Sequence, residues 1–329
     1  MAGQVWGLAA SGGFFGNPEL SKDLIYQAQP IMRWVQFCDM EERFGQNMGD
    51  TLLFDKILNV QTQGGVFMEG SPFPRTSYKI AQGTCVAEQR GNSIDYSEKW
   101  ERLSRFDVSD PNQRALINDM AKVRDRMCAA QFQATNVKYV PTGTVNEPTA
   151  TWSSNGVAPT LATRALQMWD WKTINEAAKS GVYIGTQTTF TGSPIPPWDS
   201  EGNYVAVVSV GAGRVTRDDP DWEKPTLYAD PDRWFNAEIG RIENMRFVEE
   251  NNVLANTMGT SGQKGEAMFF GAETVKLISV LPPEMRKKIP LEYGTDRGVG
   301  WYSIEGVKLI WSFNAATEPD NRIIHLTSL

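Results

Sequence analysis

The spacing of apolar residues along the chain predicts two amphipathic helices. After Ser109 and Asp110, apolar side chains recur three or four positions apart, and charged side chains occupy much of the remainder. Ser109 or Asp110 can cap this helix, and Pro111 suits its first turn. A second helix is expected from about Thr160 to Ser180, where Gly181 provides a stop signal. Such apolar stripes are typical of core packing, so neither helix is assigned a chemical role.

Shorter apolar stretches, bounded by glycine, proline, asparagine or aspartate, predict strands. The expected strands are Thr51 to Val60, Thr76 to Arg90, Tyr204 to Val210, Met245 to Glu249, Ala267 to Phe270, Val275 to Val280, Trp301 to Ile304, Val307 to Phe313 and Arg322 to Leu326. Strands, two main helices and long connections together predict an α+β protein.

The first two strands are separated by a loop rich in glycine and proline, which predicts a long hairpin with an irregular tip. The tip sequence GGVFMEGSPFP carries four large apolar residues, Val66, Phe67, Met68 and Phe73. Because loops usually lie at the surface, these side chains need cover from elsewhere. Two arrangements are open: the tip folds onto its own core, or another subunit covers it.

Composition and charge limit the possible partners. The 329 residues suffice for one large or two ordinary domains, and 41% apolar residues with 11 tryptophans allow a sizeable core. A formal net charge of -7 is not that of a protein with a broad positive surface for wrapping nucleic acid. The longest basic run, Arg286-Lys287-Lys288, is typical of a solvated helix end.

Cysteine usage and the N-terminus indicate a soluble protein made inside a cell. Cys38, Cys85 and Cys128 are far apart without metal-type spacing, so reduced and mostly buried thiols are expected. The first residues contain no Lys or Arg before Lys22 and are interrupted by glycines, which makes a poor signal peptide. No apolar run reaches the roughly 18 residues that a membrane-spanning helix needs.

Candidate chemistry is sparse. The sequence YVAVVSVGAGRVTRDDP places Gly211 and Gly213 after an apolar strand, as in a dinucleotide fingerprint, but Thr216 stands where the third glycine belongs. His325 is the only histidine, so no histidine-rich metal site or Cys-His pair assembles around it, and a packed or solvated side chain is expected. The sequence therefore predicts no catalytic residue, no metal site and no cofactor, with a Gly211–Gly213 oxidoreductase as an alternative.

Residues 236–252, NAEIGRIENMRFVEENN, predict a stiff hairpin. Glu243-Asn244 forms its turn, because Asn244 tolerates the positive φ required there. Met245 to Glu249 continues as a strand, with Met245 and Phe247 on one packed face and Arg246 and Val248 on the other. This device has no nucleophile, which favours a structural use.

The same stretch closely resembles the "GEIG, then GVRFVE" signature of the major capsid proteins of tailed bacteriophages, which have the Hong Kong 97-type capsid fold. Ala237 and Asn244 stand where the signature has glycine. The sequence TDRGVGWYSIEGVKLIWSFNAATEPDNRIIHL resembles the ending of that family, in which a Gly-x-Gly-Trp strand precedes a hairpin and a last strand. The resemblance falls in the short-tailed phage branch.

The resemblance implies an α+β fold of five parts. These are an N-terminal arm (1–49), an extended loop (50–107), a peripheral domain with a long spine helix (108–159), an axial domain (160–300) and C-terminal strands that return to the peripheral domain (301–329). In this fold the extended loop lies across a neighbouring subunit, so Val66, Phe67, Met68 and Phe73 are expected to make intersubunit contacts.

The implied function is that of a major capsid protein, which self-assembles into the icosahedral shell around a tailed phage's double-stranded DNA. The implied partners are copies of the chain in pentamers and hexamers, a portal, a separate scaffolding protein and, through weak non-specific contact, the packaged DNA. The chain would be made in the host bacterial cytoplasm and reside in the virion capsid. Alternatives from other classes are an NAD(P)-dependent cytoplasmic oxidoreductase and a phage decoration or tail-tube protein.

Overall fold

The computed structural model describes residues 32–42, 49–58, 60, 64–73, 75–104, 109–186, 189–222, 238–258, 262–289, 292–314 and 317–327. Most of the expected N-terminal arm, along with Ala237, lies outside these ranges. The helices are α1 (Glu98–Leu103), α2 (Ser109–Gln133), α3 (Met168–Ser180) and α4 (Val210–Arg217), and short 3-10 turns span Trp34–Phe37 and Glu292–Gly294. The strands are β1 (Asp39–Glu42), β2 (Thr51–Ile57), β3 (Ile80–Val86), β4 (Glu88–Ser97), β5 (Lys138–Gly143), β6 (Pro148–Ser153), β7 (Val182–Ile184), β8 (Thr189–Thr191), β9 (Tyr204–Ser209), β10 (Glu238–Ile242), β11 (Met245–Glu250), β12 (Thr257–Met258), β13 (Gln263–Lys264), β14 (Ala267–Phe270), β15 (Val275–Lys287), β16 (Asp296–Leu309) and β17 (Ile323–Leu326).

A four-stranded sheet, in the order β1-β15-β16-β4, packs against the first part of α2. Leu116 of α2 is buried against Val299 and Trp301 of β16, with Met120 and Val123 beside them. The apolar spacing that predicted this helix therefore marks its packed side from Leu116 to Val123, whereas the last part of the helix is buried through Cys128, Ala129 and Phe132. The helix begins at Ser109, within one residue of the expected start, and the residue that precedes it lies outside the described ranges.

A seven-stranded sheet, in the order β10-β11-β9-β14-β17-β5-β6, forms the larger core. Its central strands are buried on both faces, and alternate residues of β9 belong to different apolar clusters. Helix α3 covers one face, where Trp171 meets Phe247 edge-to-face at 5.0 Å between ring centroids. The other face receives the end of α2 and the turn at Trp34–Phe37, with Phe132 lying 4.9 Å from Phe270.

Several elements differ from the sequence expectation. The single strand expected from Thr76 to Arg90 is replaced by β3 and the start of β4, and the basic run Arg286-Lys287-Lys288 lies at the end of β15 and not at a helix end. Helix α3 begins at Met168 instead of Thr160, because the Asp170 carboxylate accepts a hydrogen bond from the backbone N–H of Gln167 at 2.8 Å and so caps the helix there. The strand expected at Trp301 to Ile304 and the first part of the one expected at Val307 to Phe313 belong to one continuous strand, β16, which ends at Leu309 and pairs with β15 on one side and β4 on the other.

Sheet membership also crosses the segment boundaries that the resemblance implied. Strands β5 and β6, expected with the spine helix, belong to the seven-stranded sheet, while β15, expected in the axial domain, belongs to the four-stranded sheet. Strand β17 does not return to the sheet that α2 covers at its start, but pairs with β14 and β5. Both sheets are built from strands far apart in the chain, so the five-part division does not follow sheet membership, and it stays a prediction.

The hairpin β10–β11 has the expected turn. Glu243 and Asn244 have φ values of 47° and 64°, both in the left-handed region, and Met245 and Phe247 share one buried face. The opposite face is buried as well, because the seven-stranded sheet is covered on both sides. Arg246 therefore lies in the interior, where it forms an ion pair with Glu238 at 3.1 Å.

Replacement of Asn244 should test this turn. Asn244→Val should lower the free energy of unfolding by about 1 to 2 kcal/mol, because a β-branched residue resists positive φ. Asn244→Gly, which also removes the amide, should stay close to wild type. The measurement is urea unfolding of both variants. Equal losses would show that side-chain contacts, and not the backbone conformation, determine the residue at this position.

Candidate assembly surface

Strands β2 and β3 form a two-stranded ribbon that is separate from both large sheets. Their antiparallel register runs from the Thr51–Val86 pair to the Ile57–Ile80 pair. Because side chains alternate between faces, Phe54, Lys56 and Ala81 point toward the rest of the subunit, and Leu53, Ile57, Ile80 and Val86 point away from it. The Phe54 ring lies where a side chain at position 83 would be, so Gly83 lets the ring cross the ribbon.

The tip residues that the sequence singled out are exposed. Val66, Phe67, Met68 and Phe73 retain 106%, 45%, 83% and 74% of their reference accessible surface. The rings of Phe67 and Phe73 lie 4.6 Å apart, and the N–H of Ser71 donates to the carbonyl of Met68 at 3.0 Å, so the tip has its own internal contacts. The arrangement in which the tip folds onto its own core is not the one observed. Contact with a neighbouring subunit stays a prediction.

The outward side of the ribbon was missed by the sequence analysis. Leu53, Ile57, Ile80 and Val86 are all at least half exposed. The alternation of apolar residues in LLFDKI and IAQGTCV contained this signal, but the stretch was interpreted only as a pair of strands. We call these four residues, together with Val66, Phe67, Met68 and Phe73, the hairpin surface. Exposed apolar groups in this number are typical of a protein–protein contact site.

The glycines of the dinucleotide-like motif lie in helix α4. The N–H of Gly211 donates to the Asn256 side-chain oxygen at 3.0 Å, and the N–H of Ala212 donates to Ser209 at 3.3 Å. A Cβ on Gly211 would also lie 2.6 Å from the Asn256 carbonyl oxygen. The first N–H groups of the helix therefore donate to other residues of the same subunit. The glycine motif on which the oxidoreductase alternative rested serves internal packing.

His325 belongs to a buried hydrogen-bonded chain of three ionisable groups. Its Nδ1 lies 2.9 Å from Lys138 Nζ, and its Nε2 lies 2.7 Å from Glu266 Oε1. Since the ammonium group can only donate, Nδ1 accepts and Nε2 donates, which is the pattern of a neutral imidazole. Burial lowers the pKa of His325, and the charge of Lys138 lowers it further against the opposing effect of Glu266. Burial also lowers the pKa of Lys138 to about 8.

These hydrogen bonds link three parts of the seven-stranded sheet. Lys138 begins β5, His325 lies in β17, and Glu266 precedes β14. The β5–β17 pairing consists of His325 opposite Lys138 and Leu326 opposite Tyr139, so the buried groups lie where the two strands meet. All three residues are buried, so of the packed and solvated arrangements that were expected for the histidine, the packed one is observed.

His325 should make the subunit less stable in acid. The folded chain keeps the imidazole neutral at pH values where the unfolded chain, with a pKa near 6.5, binds a proton. The free energy of unfolding should therefore fall as the pH drops below about 6.5, by up to about 1.4 kcal/mol per pH unit. His325→Gln should lose this part of the dependence, because an amide can accept from Lys138 and donate to Glu266 without titrating.

The measurement is urea unfolding of both proteins at a series of pH values above and below 6.5. Asp125 and Glu250, whose pKa values are raised chiefly by burial, titrate in both proteins and cancel in the difference. Parallel pH profiles would contradict the assignment of acid sensitivity to His325.

The remaining candidate features are metal ligands, membrane-spanning helices and cysteines. Across the described ranges, no group of three or more His, Cys, Asp or Glu side chains is placed to hold a metal ion. No helix in this part of the chain is long and apolar enough to cross a membrane. The three cysteines are free, with Cys85 and Cys128 buried and Cys38 half-buried, and burial raises the pKa of Cys85 to about 11.

Comparison with known proteins identifies the fold. No protein-family model matches the sequence, and no curated protein matches it. Solved phage capsid structures, in contrast, are similar over nearly the whole chain. The capsid of Ralstonia phage GP4 has a TM-score of 0.64 and 15% identity, covering 99% of this chain and 97% of that one.

Two further phage structures are also similar over nearly the whole chain. The head of Helicobacter pylori bacteriophage KHP40 has a TM-score of 0.68 at 14% identity, over 97% of this chain and 99% of that one. The capsid asymmetric unit of cyanophage Pam1 has a TM-score of 0.66 at 14% identity, over 100% and 99%. Identities this low show a shared fold. The chain therefore has the α+β fold of phage capsid subunits, and the expected Hong Kong 97-like fold is confirmed.

Proposed function

We propose that this chain is the major capsid protein of a tailed phage, whose copies form pentamers and hexamers and close an icosahedral shell around double-stranded DNA. The observation that carries the proposal is the match of essentially the whole chain, in both directions, to capsid subunits from different phages. A shell subunit acts through its shape and its contacts, and needs no reactive group.

The hairpin surface supports this function. A shell made of one kind of chain requires each subunit to meet its neighbours through repeated heterologous contacts. Eight apolar side chains that their own subunit leaves open provide one half of such a contact. Burial of each large apolar side chain contributes roughly 1.5 to 3 kcal/mol, and the gain recurs at every copy.

The charge of the chain fits a container for DNA. At a formal net charge of -7 the subunit carries no excess of the Lys and Arg residues that bind phosphates tightly and in a salt-dependent way. Contact with the packaged genome is then weak and non-specific, which lets the genome leave. A portal and a separate scaffolding protein are included among the partners on the basis of the family resemblance, as is synthesis in the host cytoplasm.

The other functions that the sequence left open have less support. The oxidoreductase relied on Gly211 and Gly213, whose helix is bonded and packed against its own chain. A decoration or tail-tube protein would not account for a match of this extent to shell subunits.

Purified subunits should form pentamers, hexamers or closed shells, at least when the scaffolding protein is present. Negative-stain electron microscopy and sedimentation velocity measure this directly. A tail-tube protein would instead give rings or fibres, and a decoration protein would stay small. Sedimentation of monomer alone at high concentration with scaffold present would contradict the proposal.

Replacement of the apolar tip should impair assembly far more than folding. In the triple variant Phe67→Ser, Met68→Ser, Phe73→Ser, particle yield should fall strongly, while the melting temperature of the unassembled subunit should barely move. The reason is that side chains already exposed in the free subunit leave no cavity when they are shortened.

Two control variants show whether the effect comes from the loss of apolar area at the tip. A triple change of the same positions to Leu keeps apolar area and should retain much of the particle yield, whereas Phe269→Ser removes a fully buried ring and should lower the melting temperature sharply. If the triple serine variant melts much earlier while its surviving subunits assemble normally, the tip belongs to its own core.

A further inference from the structure

The ribbon that carries the hairpin surface is held to its own subunit by a buried ion pair. Lys56 Nζ, on the inward face of β2, lies 2.6 Å from Glu318 Oε1 and 2.9 Å from the carbonyl oxygen of Ile310. The two side chains are only 7% and 12% exposed. Glu318 lies in a turn beyond β16, where its backbone forms an isolated bridge with Asn314. The pair thus joins parts of the chain that are 262 positions apart.

Apolar and aromatic contacts surround this ion pair. Leu58, Ile310 and Trp311 form a small buried cluster, against which Phe54 and Ala81 of the ribbon pack. Lys56 Nζ lies 5.5 Å from the ring centroid of Trp311, and the Arg322 guanidinium lies 4.9 Å from it. Both distances are within the range of cation–π attraction. We call Lys56, Leu58, Ile310, Trp311 and Glu318 the hairpin latch.

The ribbon needs such a contact to have a defined direction. A two-stranded hairpin is marginally stable alone, and β2 and β3 pair with no strand of the two large sheets. At its base, the carbonyl of Val86 lies against Gly306 of β16. Nearer the loop, the ribbon is attached through the hairpin latch. Two separated attachments fix the direction of a rigid ribbon, whereas one attachment would let it pivot.

We propose that the hairpin latch sets the direction in which the ribbon leaves the subunit, with Lys56 and Glu318 as its positioning residues. The ion pair is suited to this because its geometry is directional, and because loss of one partner leaves the other charge buried without compensation. Apolar contacts alone would hold the ribbon at several angles. The role of the latch in assembly rests on the proposed function. There the latch would present the hairpin surface to the neighbouring copy in one orientation.

Hydrogen–deuterium exchange of the unassembled full-length subunit tests the latch itself. In Lys56→Met and in the milder Glu318→Gln, amide exchange across β2 and β3 should accelerate by at least about tenfold. The free energy that corresponds to a tenfold change is a small part of the stability that is lost when a buried ionic partner is removed. Exchange in β9 and β11, in the seven-stranded core, should stay unchanged. The matched control is Lys172→Met, which removes a lysine from an exposed ion pair with Asp221 and should leave the ribbon unaffected.

Particle formation gives the second readout. Both latch variants should give fewer or misshapen particles, although their core amides and melting temperatures match the control. Ribbon exchange that is unchanged in both variants would overturn the latch, as would acceleration spread evenly over the whole chain. If wild-type subunits form no particles while ribbon exchange still accelerates in the variants, the latch stands and the proposed shell function fails.

Discussion

The packing of helix α2 against both large sheets is the constraint on which the rest of the subunit depends. Its first part buries Leu116 against the four-stranded sheet, and its last part buries Phe132 against the seven-stranded sheet. Between them, Arg124 forms two hydrogen bonds of 3.0 Å and 2.9 Å with Glu305, and the buried Asp125 accepts from the backbone N–H groups of Arg33 and Trp34. One helix thereby holds the two sheets and residues 33–37 relative to one another.

The ribbon β2–β3 stands outside this arrangement. Both cores close without it, since its only buried residues belong to the small cluster around Leu58 and Trp311 or lie on its inward face. Its outward apolar side therefore adds nothing to the stability of the free subunit. This separation of folding from contact surface is what a subunit needs if it is to fold first and assemble afterwards, because changes to one process leave the other nearly intact.

Local signals in the sequence were sufficient for part of this structure. The repeated apolar spacing after Ser109 predicted α2, and the Glu243-Asn244 pair predicted a turn with positive φ, because each depends on residues adjacent in the chain. The tip residues were identified for the same reason: Gly and Pro prevent regular structure around Phe67 and Phe73. The family resemblance added the fold, which local patterns could not supply.

Local sequence patterns could not predict which distant strands pair with one another. The order of the seven-stranded sheet joins strands from residues 138 to 326, and no local pattern specifies which strands become neighbours. The hydrogen bonds that join Lys138, His325 and Glu266 depend on that order, and the pair Lys56–Glu318 depends on a contact between residues 262 positions apart. In the sequence these residues therefore appear as isolated ionisable side chains. The shift of the start of α3 from the expected Thr160 to Met168, with Gln167 as its cap, likewise depends on Asp170 being buried beside Arg164, with an ion pair of 2.5 Å.

The net charge of the subunit limits which forces can draw copies of the chain together under the proposed function. Copies that each carry a formal net charge of -7 repel one another, over a range of about 8 Å at physiological ionic strength. Paired groups such as Lys56–Glu318 and Arg246–Glu238 cancel within the interior, so they leave this repulsion in place. The attraction that gathers the subunits must then come from a force that is insensitive to like charge, and burial of apolar area is such a force. The outward side of the ribbon and its tip offer such area, so under the proposed function the hairpin surface would draw copies of the chain together in spite of their like charge.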